Sequence, residues 1–138
     1  MVLDSIRKYV WKGKKVLIIE DDLSSVFLLT EILQHTGIDI LTVADGRDAI
    51  DTFRKYRDID IVLLDLLLPE VTGFEIARQL KVIRNIPIIA QSAYALIEDK
   101  DRALAAGCDA HLPKPINTFE LLGTMHRLLH KTDKLPSF

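Results

Sequence analysis

Short β-branched runs alternate five times along the chain with longer amphipathic stretches. The β-branched runs cover residues 15–19, 38–43, 59–64, 87–91 and 110–112. This alternation is typical of βα units around a parallel sheet whose strands are buried on both faces. The sequence therefore predicts a three-layer α/β protein, in which helices cover both sides of a doubly wound sheet of five parallel strands.

Helix start and stop signals occupy the intervening stretches. Thr72 and Asn117 each have a glutamate three residues later, which is the capping-box pattern, and Asp45 is placed to cap another helix. Gly37 and Gly107 stand where two further helices would end. We therefore expect five helices, of which the first covers residues 23–36, the third 72–84 and the fourth 98–106.

The charge balance excludes some classes of function. The chain has 138 residues and a formal net charge of −2, without the concentrated positive charge that binding to nucleic acid or anionic lipid requires. Its apolar runs are far shorter than the roughly 20 residues needed to cross a bilayer. The single cysteine, Cys108, cannot form an internal disulfide. We expect a cytoplasmic protein that binds neither nucleic acid nor membrane.

Residues 15–130 are predicted to form one domain, with an N-terminal extension at 1–14 and a C-terminal tail at 131–138. The extension is basic, with Tyr9, Val10 and Trp11 among its charges. Such a segment either docks on the domain, as a helix or an ordered lead-in, or stays solvated. The solvated form is favoured because isolated helices this short are marginal in water.

Four acids directly follow two of the predicted strands. Glu20, Asp21 and Asp22 come after the first strand, and Asp65 comes after the third. Ligands of parallel α/β sheets bind outside the carboxyl ends of the strands, where these carboxylates would meet and repel one another. Oxygen ligands without a nearby His or Cys favour a hard cation, and a small ligand set suits Mg²⁺ better than Ca²⁺. The alternative is that these acids only cap the next helix, as Asp22 is placed to do.

Beside Mg²⁺, Asp65 would be a competent nucleophile for in-line attack on phosphorus, which gives an acyl phosphate. Such a site also needs a hydroxyl and a fixed cation facing the phosphoryl group. Ser92 follows the fourth strand, and Lys114 follows the fifth between two prolines. A lone serine at such a place is often a helix cap, and a lone lysine is often a solvated charge. Their joint placement at two strand ends instead indicates a phosphorylation site.

Four sequence blocks resemble the signature blocks of response-regulator receiver domains. They are VLIIEDD at 16–22, DIVLLDLLLPEVTGFE at 60–75, IPIIAQSAYA at 86–95 and AAGCDAHLPKPI at 105–116. The resemblance covers nearly everything from residue 15 to residue 130. It implies a flavodoxin-like fold with strand order 2-1-3-4-5, and phosphotransfer from a histidine kinase to an aspartate.

The resemblance also implies roles at the metal. Asp65 matches the phosphoacceptor, Asp21 the direct Mg²⁺ ligand, and Glu20 the acid that reaches the metal through water. Leu67 matches the position that offers its backbone carbonyl. Mg²⁺ is the expected cofactor, with Mn²⁺ as a substitute.

Further positions match residues that control the phosphoryl group. Ser92 and Lys114 match the hydroxyl and the lysine that hold its oxygens. His111 stands where the family often has Tyr or Phe as a switch residue, and its charge would add a pH dependence; alternatively, it is only a partly exposed polar residue. Leu67 and Tyr94 match the positions that flank the acyl phosphate. Since an apolar Leu and a bulky Tyr should shield the phosphoryl group, we expect slow autodephosphorylation.

The expected partners follow from the resemblance. A sensor histidine kinase or a phosphotransfer protein is the expected donor, and a downstream protein binds the face formed by the fourth helix, fifth strand and fifth helix. The chain is either free-standing or a fragment of a hybrid histidine kinase, and either a monomer or a homodimer on phosphorylation. We expect it to catalyse only its own phosphotransfer and dephosphorylation.

Two alternatives are less favoured. A Mg²⁺-dependent aspartyl-phosphate phosphatase needs a second acid two residues after its first strand-end aspartate, but leucines stand two residues after Asp21 and Asp65. A binding-only pseudo-receiver would have lost residues of the phosphorylation site, and the residues that match the site are all present.

Overall fold

The computed structural model describes residues 8–93 and 97–131. Within them lie five strands: β1 (Lys15–Ile19), β2 (Asp39–Val43), β3 (Ile61–Asp65), β4 (Ile88–Ser92) and β5 (Ala110–Pro113). The helices are α1 (Leu23–Leu33), α2 (Gly46–Lys55), α3 (Gly73–Ile83), α4 (Ile97–Ala105) and α5 (Thr118–Lys131), with a short 3₁₀ helix (Gln34–Thr36) after α1. Each strand begins and ends within two residues of its predicted bounds.

The five strands form one parallel sheet in the order β2-β1-β3-β4-β5, which confirms the predicted doubly wound fold. Alternate residues of β1 enter different cores. Leu17 and Ile19 pack with α2, α3 and α4 on one face, whereas Val16 and Ile18 pack with α1 and α5 on the other. Since β1, β3 and β4 are covered on both faces, their apolar runs are nearly continuous.

Side chains cap four helices at the predicted places. Asp45 accepts a hydrogen bond from the backbone of Asp48 at 2.8 Å, and Asn117 accepts one from Glu120 at 3.0 Å. Thr72 caps α3, and Asp22 caps α1. These caps fix the point at which each chain segment turns away from the end of its strand.

Residues 9–11, shortly before β1, are docked on the domain. Trp11 is only 4% exposed and joins the core between α1 and α5, and its backbone N–H donates to Thr36 at 2.6 Å. The Tyr9 ring lies 5.4 Å from the ring of His126 on α5. The expectation of a solvated extension is therefore wrong for Trp11, because burying an indole outweighs the weak helical preference of a short segment.

Three other features bear on the sequence predictions: the end of the last helix, the environment of Cys108 and the length of the apolar helices. The helix α5 continues to Lys131, one residue beyond the predicted domain boundary, and the predicted tail at 132–138 lies outside the described residues. Cys108 is buried, and burial raises the pKa of its thiol to about 12, so the thiol is unreactive near neutral pH. Within the part of the chain that the structure describes, no helix is both long and apolar enough to cross a membrane.

Candidate metal and phosphoacceptor site

Three carboxylates meet at the carboxyl edge of the sheet. Strands β1 and β3 are neighbours, with Ile19 paired to Leu64, so the residues that follow emerge side by side. One carboxylate oxygen from each of Glu20, Asp21 and Asp65 lies within 4.8 Å of the other two. The structure therefore brings together the three acids for which the sequence predicts a metal site.

Two of the three carboxylates are buried. Glu20 is 3% exposed and Asp65 is 4% exposed, whereas Asp21 is exposed at the mouth of the site. Burial raises the pKa of Glu20 and the charge of Asp65 raises it further, while Lys114 opposes both effects. Buried like charges at this separation are costly unless a cation lies among them.

Lys114 supplies one positive charge to this cluster. Its Nζ lies 2.9 Å from an oxygen of Glu20 and 3.5 Å from Oδ2 of Asp65. Burial alone would lower the pKa of Lys114, but the hydrogen bond to Glu20 and the charge of Asp65 raise it overall. The lysine is held in place because its backbone N–H donates to the carbonyl of Ser92 at 2.8 Å, just beyond the end of β5.

Backbone groups orient the two buried acids. The N–H of Leu67 donates to Oδ1 of Asp65 at 3.0 Å, and the N–H of Asp22 donates to Glu20 at 3.1 Å. Gly73, the first residue of α3, lies so close to the end of β3 that a Cβ there would be 2.6 Å from the carbonyl oxygen of Asp65. This close approach depends on a tertiary contact, and the only sequence signal for it is a glycine directly after the capping residue Thr72.

Asp22 is the fourth acid, and the capping alternative describes it. Its carboxylate accepts hydrogen bonds from the hydroxyls of Ser24 and Ser25, both at 2.7 Å, and from the backbone of Ser25. These hydrogen bonds lower the pKa of Asp22. The acids after β1 therefore divide between the carboxylate cluster and the start of α1.

The predicted hydroxyl lies one strand away from Asp65. Ser92 ends β4, one residue beyond Gln91, which pairs with Asp65, and Ser92 is 2% exposed. Its Oγ lies 3.2 Å from Nε2 of His111 in β5. Burial lowers the pKa of His111. The sequence indicated both residues, but not the hydrogen bond that joins them.

The two positions predicted to flank the phosphoryl group differ in what can be described. Leu67 lies two residues after Asp65, the last residue of β3, and its side chain is about half exposed. Tyr94 lies outside the described residues, so its place beside the site stays a prediction.

The donor set of this cluster fits a hard divalent cation. The ligand atoms are carboxylate oxygens, and two of the three side chains are held in place by burial and by hydrogen bonds. Mg²⁺ binds through one or two carboxylates and keeps several waters, which a site with an exposed mouth at Asp21 permits.

Comparison with known proteins identifies the family. A family model described as the response regulator receiver domain matches residues 16–126. The chain belongs to the response-regulator receiver family. The receiver is 34% identical over 119 residues to the polar-differentiation response regulator DivK of Brucella anthropi, an alignment that covers 84% of this chain and 96% of DivK.

Solved receivers have the same fold. The chemotaxis protein CheY4 of Vibrio cholerae is 31% identical, with a TM-score of 0.77 over 83% of this receiver and 98% of that chain. The receiver domain of a sensor histidine kinase from Pseudomonas aeruginosa is 30% identical, with a TM-score of 0.78 over 86% of this chain and 98% of its own. The latter structure has a magnesium ion coordinated in its active-site cleft. Receivers bind Mg²⁺ at an acidic site, and this receiver has an acidic cluster at the end of β1 and β3.

Proposed function

We propose that this receiver accepts a phosphoryl group on Asp65 from the phosphohistidine of a sensor histidine kinase or a phosphotransfer protein. The observation that carries the proposal is the position of the buried Asp65 carboxylate, between two other acids within 4.8 Å and the ammonium of Lys114 at 3.5 Å. A carboxylate nucleophile, a metal-binding acid pair and a fixed cation are the parts that phosphoryl transfer to an aspartate requires.

The proposed transfer makes one bond and breaks one bond. A carboxylate oxygen of Asp65 attacks phosphorus in line, while the P–N bond of the donor breaks and the imidazole nitrogen keeps the electron pair. Asp21, Asp65 and the carbonyl of Leu67 would hold Mg²⁺, with Glu20 acting through water. When bound, Mg²⁺ would neutralise charge on the transferring oxygens.

Lys114 and Ser92 would bind the phosphoryl oxygens of the product. The ammonium of Lys114 already lies 3.5 Å from Asp65, so a phosphoryl group on that carboxylate would come within its reach. Ser92 contributes a hydroxyl from the end of the neighbouring strand. Closure of these two groups on the phosphoryl group would favour one conformation of β4 and β5, which is how phosphorylation would shift the population read by a partner.

We propose that a downstream protein reads this change on the face formed by α4, β5 and α5. Both His111 and Lys114 belong to β5 or to the residue just after it, so a change at the site acts on this face directly. Leu104 of α4 and Phe119 of α5 keep large apolar side chains exposed, which suits a protein partner.

The donor protein would dock beside the site on α1. Leu23, Phe27 and Leu28 expose apolar side chains on this helix, and Leu23 is 83% exposed. A cavity of about 290 Å³ beside them is lined by Leu28 and also by Lys114 of the site. An apolar surface that extends to Lys114 would hold a donor helix near Asp65.

Incubation with acetyl phosphate and Mg²⁺ tests the proposed function. We expect wild-type protein to gain one phosphoryl group by intact mass, and Asp65→Ala to gain none. Asp51→Asn is a matched control because Asp51 is an exposed aspartate of α2, away from the carboxylate cluster, and it should be labelled like wild type. Equal labelling of wild type and Asp65→Ala would contradict the assignment.

A further inference from the structure

Ser92, whose hydroxyl is proposed to bind the phosphoryl group, is hydrogen-bonded to the imidazole of His111. Oγ of Ser92 and Nε2 of His111 are 3.2 Å apart. His111 pairs with Ala90 in the register of β4 and β5, so Ser92 is two residues further along the neighbouring strand and on the same face of the sheet. Because both residues are strand residues, the sheet itself fixes the distance between them.

The direction of this hydrogen bond depends on the protonation of the imidazole. A neutral ring with its proton on Nδ1 accepts the single hydroxyl proton of Ser92 at Nε2. An imidazolium instead donates its Nε2–H to Oγ, and the hydroxyl proton is then available to another acceptor. Neutral His111 in the accepting form therefore competes with a phosphoryl oxygen for the proton of Ser92, whereas protonated His111 does not.

The surroundings of His111 favour the neutral ring in the unphosphorylated protein. Burial lowers its pKa, Asp99 of α4 raises it and the adjacent Lys100 lowers it. These two are the charged groups that act on the imidazole within the described residues. A phosphoryl group on Asp65 would add negative charge on the far side of Ser92, and negative charge favours the imidazolium.

We infer that His111 is a positioning residue for Ser92, and that proton uptake by His111 turns the Ser92 hydroxyl towards the phosphoryl group. The inference rests on the proposed phosphorylation of Asp65 and adds a regulation of that site. Binding of the phosphoryl group is coupled to proton uptake, so the phosphorylated conformation is favoured as the pH falls through the range in which His111 takes up its proton. A phenyl or phenol ring at this position would not give such coupling, since neither titrates in that range.

The affinity for beryllofluoride with Mg²⁺, a non-covalent mimic of the phosphoryl group, tests the inference. Titrations followed by amide NMR at about pH 8 and about pH 5.5 would compare wild type with two variants. His111→Gln places an amide N–H near Oγ at every pH, so it should match the low-pH affinity of wild type without the extra pH dependence. His111→Phe neither accepts from Ser92 nor donates to it, so it too should lack the extra pH dependence. At low pH it should bind beryllofluoride more weakly than wild type, because no hydrogen bond from position 111 orients the hydroxyl of Ser92. We expect wild type to gain about three- to tenfold in affinity relative to His111→Gln between the two pH values.

The same variants in a Ser92→Ala background provide the control. Without the hydroxyl, the differences among His, Gln and Phe at position 111 should vanish. Parallel pH profiles for wild type, His111→Gln and His111→Phe would overturn the inference, and so would differences that persist with Ser92→Ala. Labelling by acetyl phosphate separates the two claims: labelled wild type with parallel profiles overturns only the role of His111, whereas unlabelled wild type overturns the proposed function as well.

Discussion

Charged side chains are arranged differently at the two edges of the sheet, the amino edge where the parallel strands begin and the carboxyl edge where they end. At the amino edge, each of two lysines has a carboxylate partner of its own: Lys15 lies 2.7 Å from Asp58, and Lys81 lies 2.8 Å from Asp109. At the carboxyl edge, Glu20 and Asp65 share the ammonium of Lys114, and Asp21 is the third acid of the cluster. The same sheet thus carries balanced pairs where it only needs stability and an excess of negative charge where a cation and a phosphoryl group are proposed to bind.

This difference shows where the fold gives up stability. Asp109 accepts hydrogen bonds from both Lys81 and the backbone of Ile88, so its charge is fully used within the fold. Asp65 is more deeply enclosed, with 5% of its side chain exposed against 30% for Asp109, but its nearest ammonium is shared with Glu20. Excess buried charge is typical of sites whose ligand completes the balance.

The largest predicted effect concerns the packing of the carboxyl edge. Gly73→Ala would place a Cβ 2.6 Å from backbone atoms of Asp65 and Leu66, which cannot move as a flexible side chain would. We expect a loss of about 3 kcal/mol in the free energy of unfolding, measured by urea denaturation.

Gly123→Ala is the matched control for that substitution. The nearest atom to a Cβ at Gly123 is the hydroxyl of Tyr9 at 4.0 Å, so α5 has room for a methyl group. This variant should be stabilised by about 0.5–1 kcal/mol, because alanine favours a helix interior. Equal stability of the two variants would show that the close approach of α3 to β3 does not constrain position 73.

The next largest effect is expected from breaking the ion pair between Lys81 and Asp109 at the amino edge. Asp109→Ala removes the partner of Lys81 and the acceptor of the Ile88 N–H, and leaves the largely buried ammonium without its carboxylate. We expect a loss of about 2 kcal/mol in the free energy of unfolding, since an unpaired buried group keeps its desolvation cost. A loss below about 0.5 kcal/mol would mean that this pair contributes no more than an exposed ion pair.

Removing one negative charge at the carboxyl edge should instead increase the free energy of unfolding. Asp65→Asn keeps an oxygen that can accept from Leu67, leaves the bond between Lys114 and Glu20, and relieves the repulsion between two buried acids. Without Mg²⁺ we expect a gain of about 1 kcal/mol in the free energy of unfolding. Adding Mg²⁺ should stabilise wild type more than this variant. A destabilised Asp65→Asn would contradict the idea of excess charge at this edge.

The smallest effect concerns the lifetime of the phosphoryl group. Leu67 is about half exposed beside Asp65 and cannot orient a water. Leu67→Asn should increase the rate of hydrolysis by about threefold or more, because an amide can position the attacking water. The decay of the phosphorylated mass after removal of the donor measures this rate, with Val82→Asn on the exposed side of α3 as a control that should not change it.

The local parts of the fold were predictable from the sequence. Capping by Asp45, Thr72 and Asn117 depends on neighbours three residues away, so a linear pattern contains it. The carboxyl ends of β1 and β3 were also predictable, because a buried run that stops at an acid identifies both the strand and its end.

Contacts between distant segments were not predictable in this way. The bond between Ser92 and His111 depends on the register of two strands, and the preference of Lys114 for Glu20 over Asp65 depends on angstrom-scale differences across the site. The burial of Trp11 depends on a gap between α1 and α5 that a short apolar motif does not reveal. Residue types therefore indicated which groups take part, whereas the three-dimensional structure was needed to show how they are paired.

The most direct test of the central claim is to locate the phosphorylated residue chemically. Borohydride reduces an acyl phosphate to the alcohol and releases phosphate, so a phosphorylated aspartate becomes homoserine. After incubation with acetyl phosphate and Mg²⁺, reduction and peptide mass analysis, we predict homoserine at position 65 and unmodified aspartate at position 21. Homoserine at another acid, or at none in a protein that binds Mg²⁺, would contradict the account.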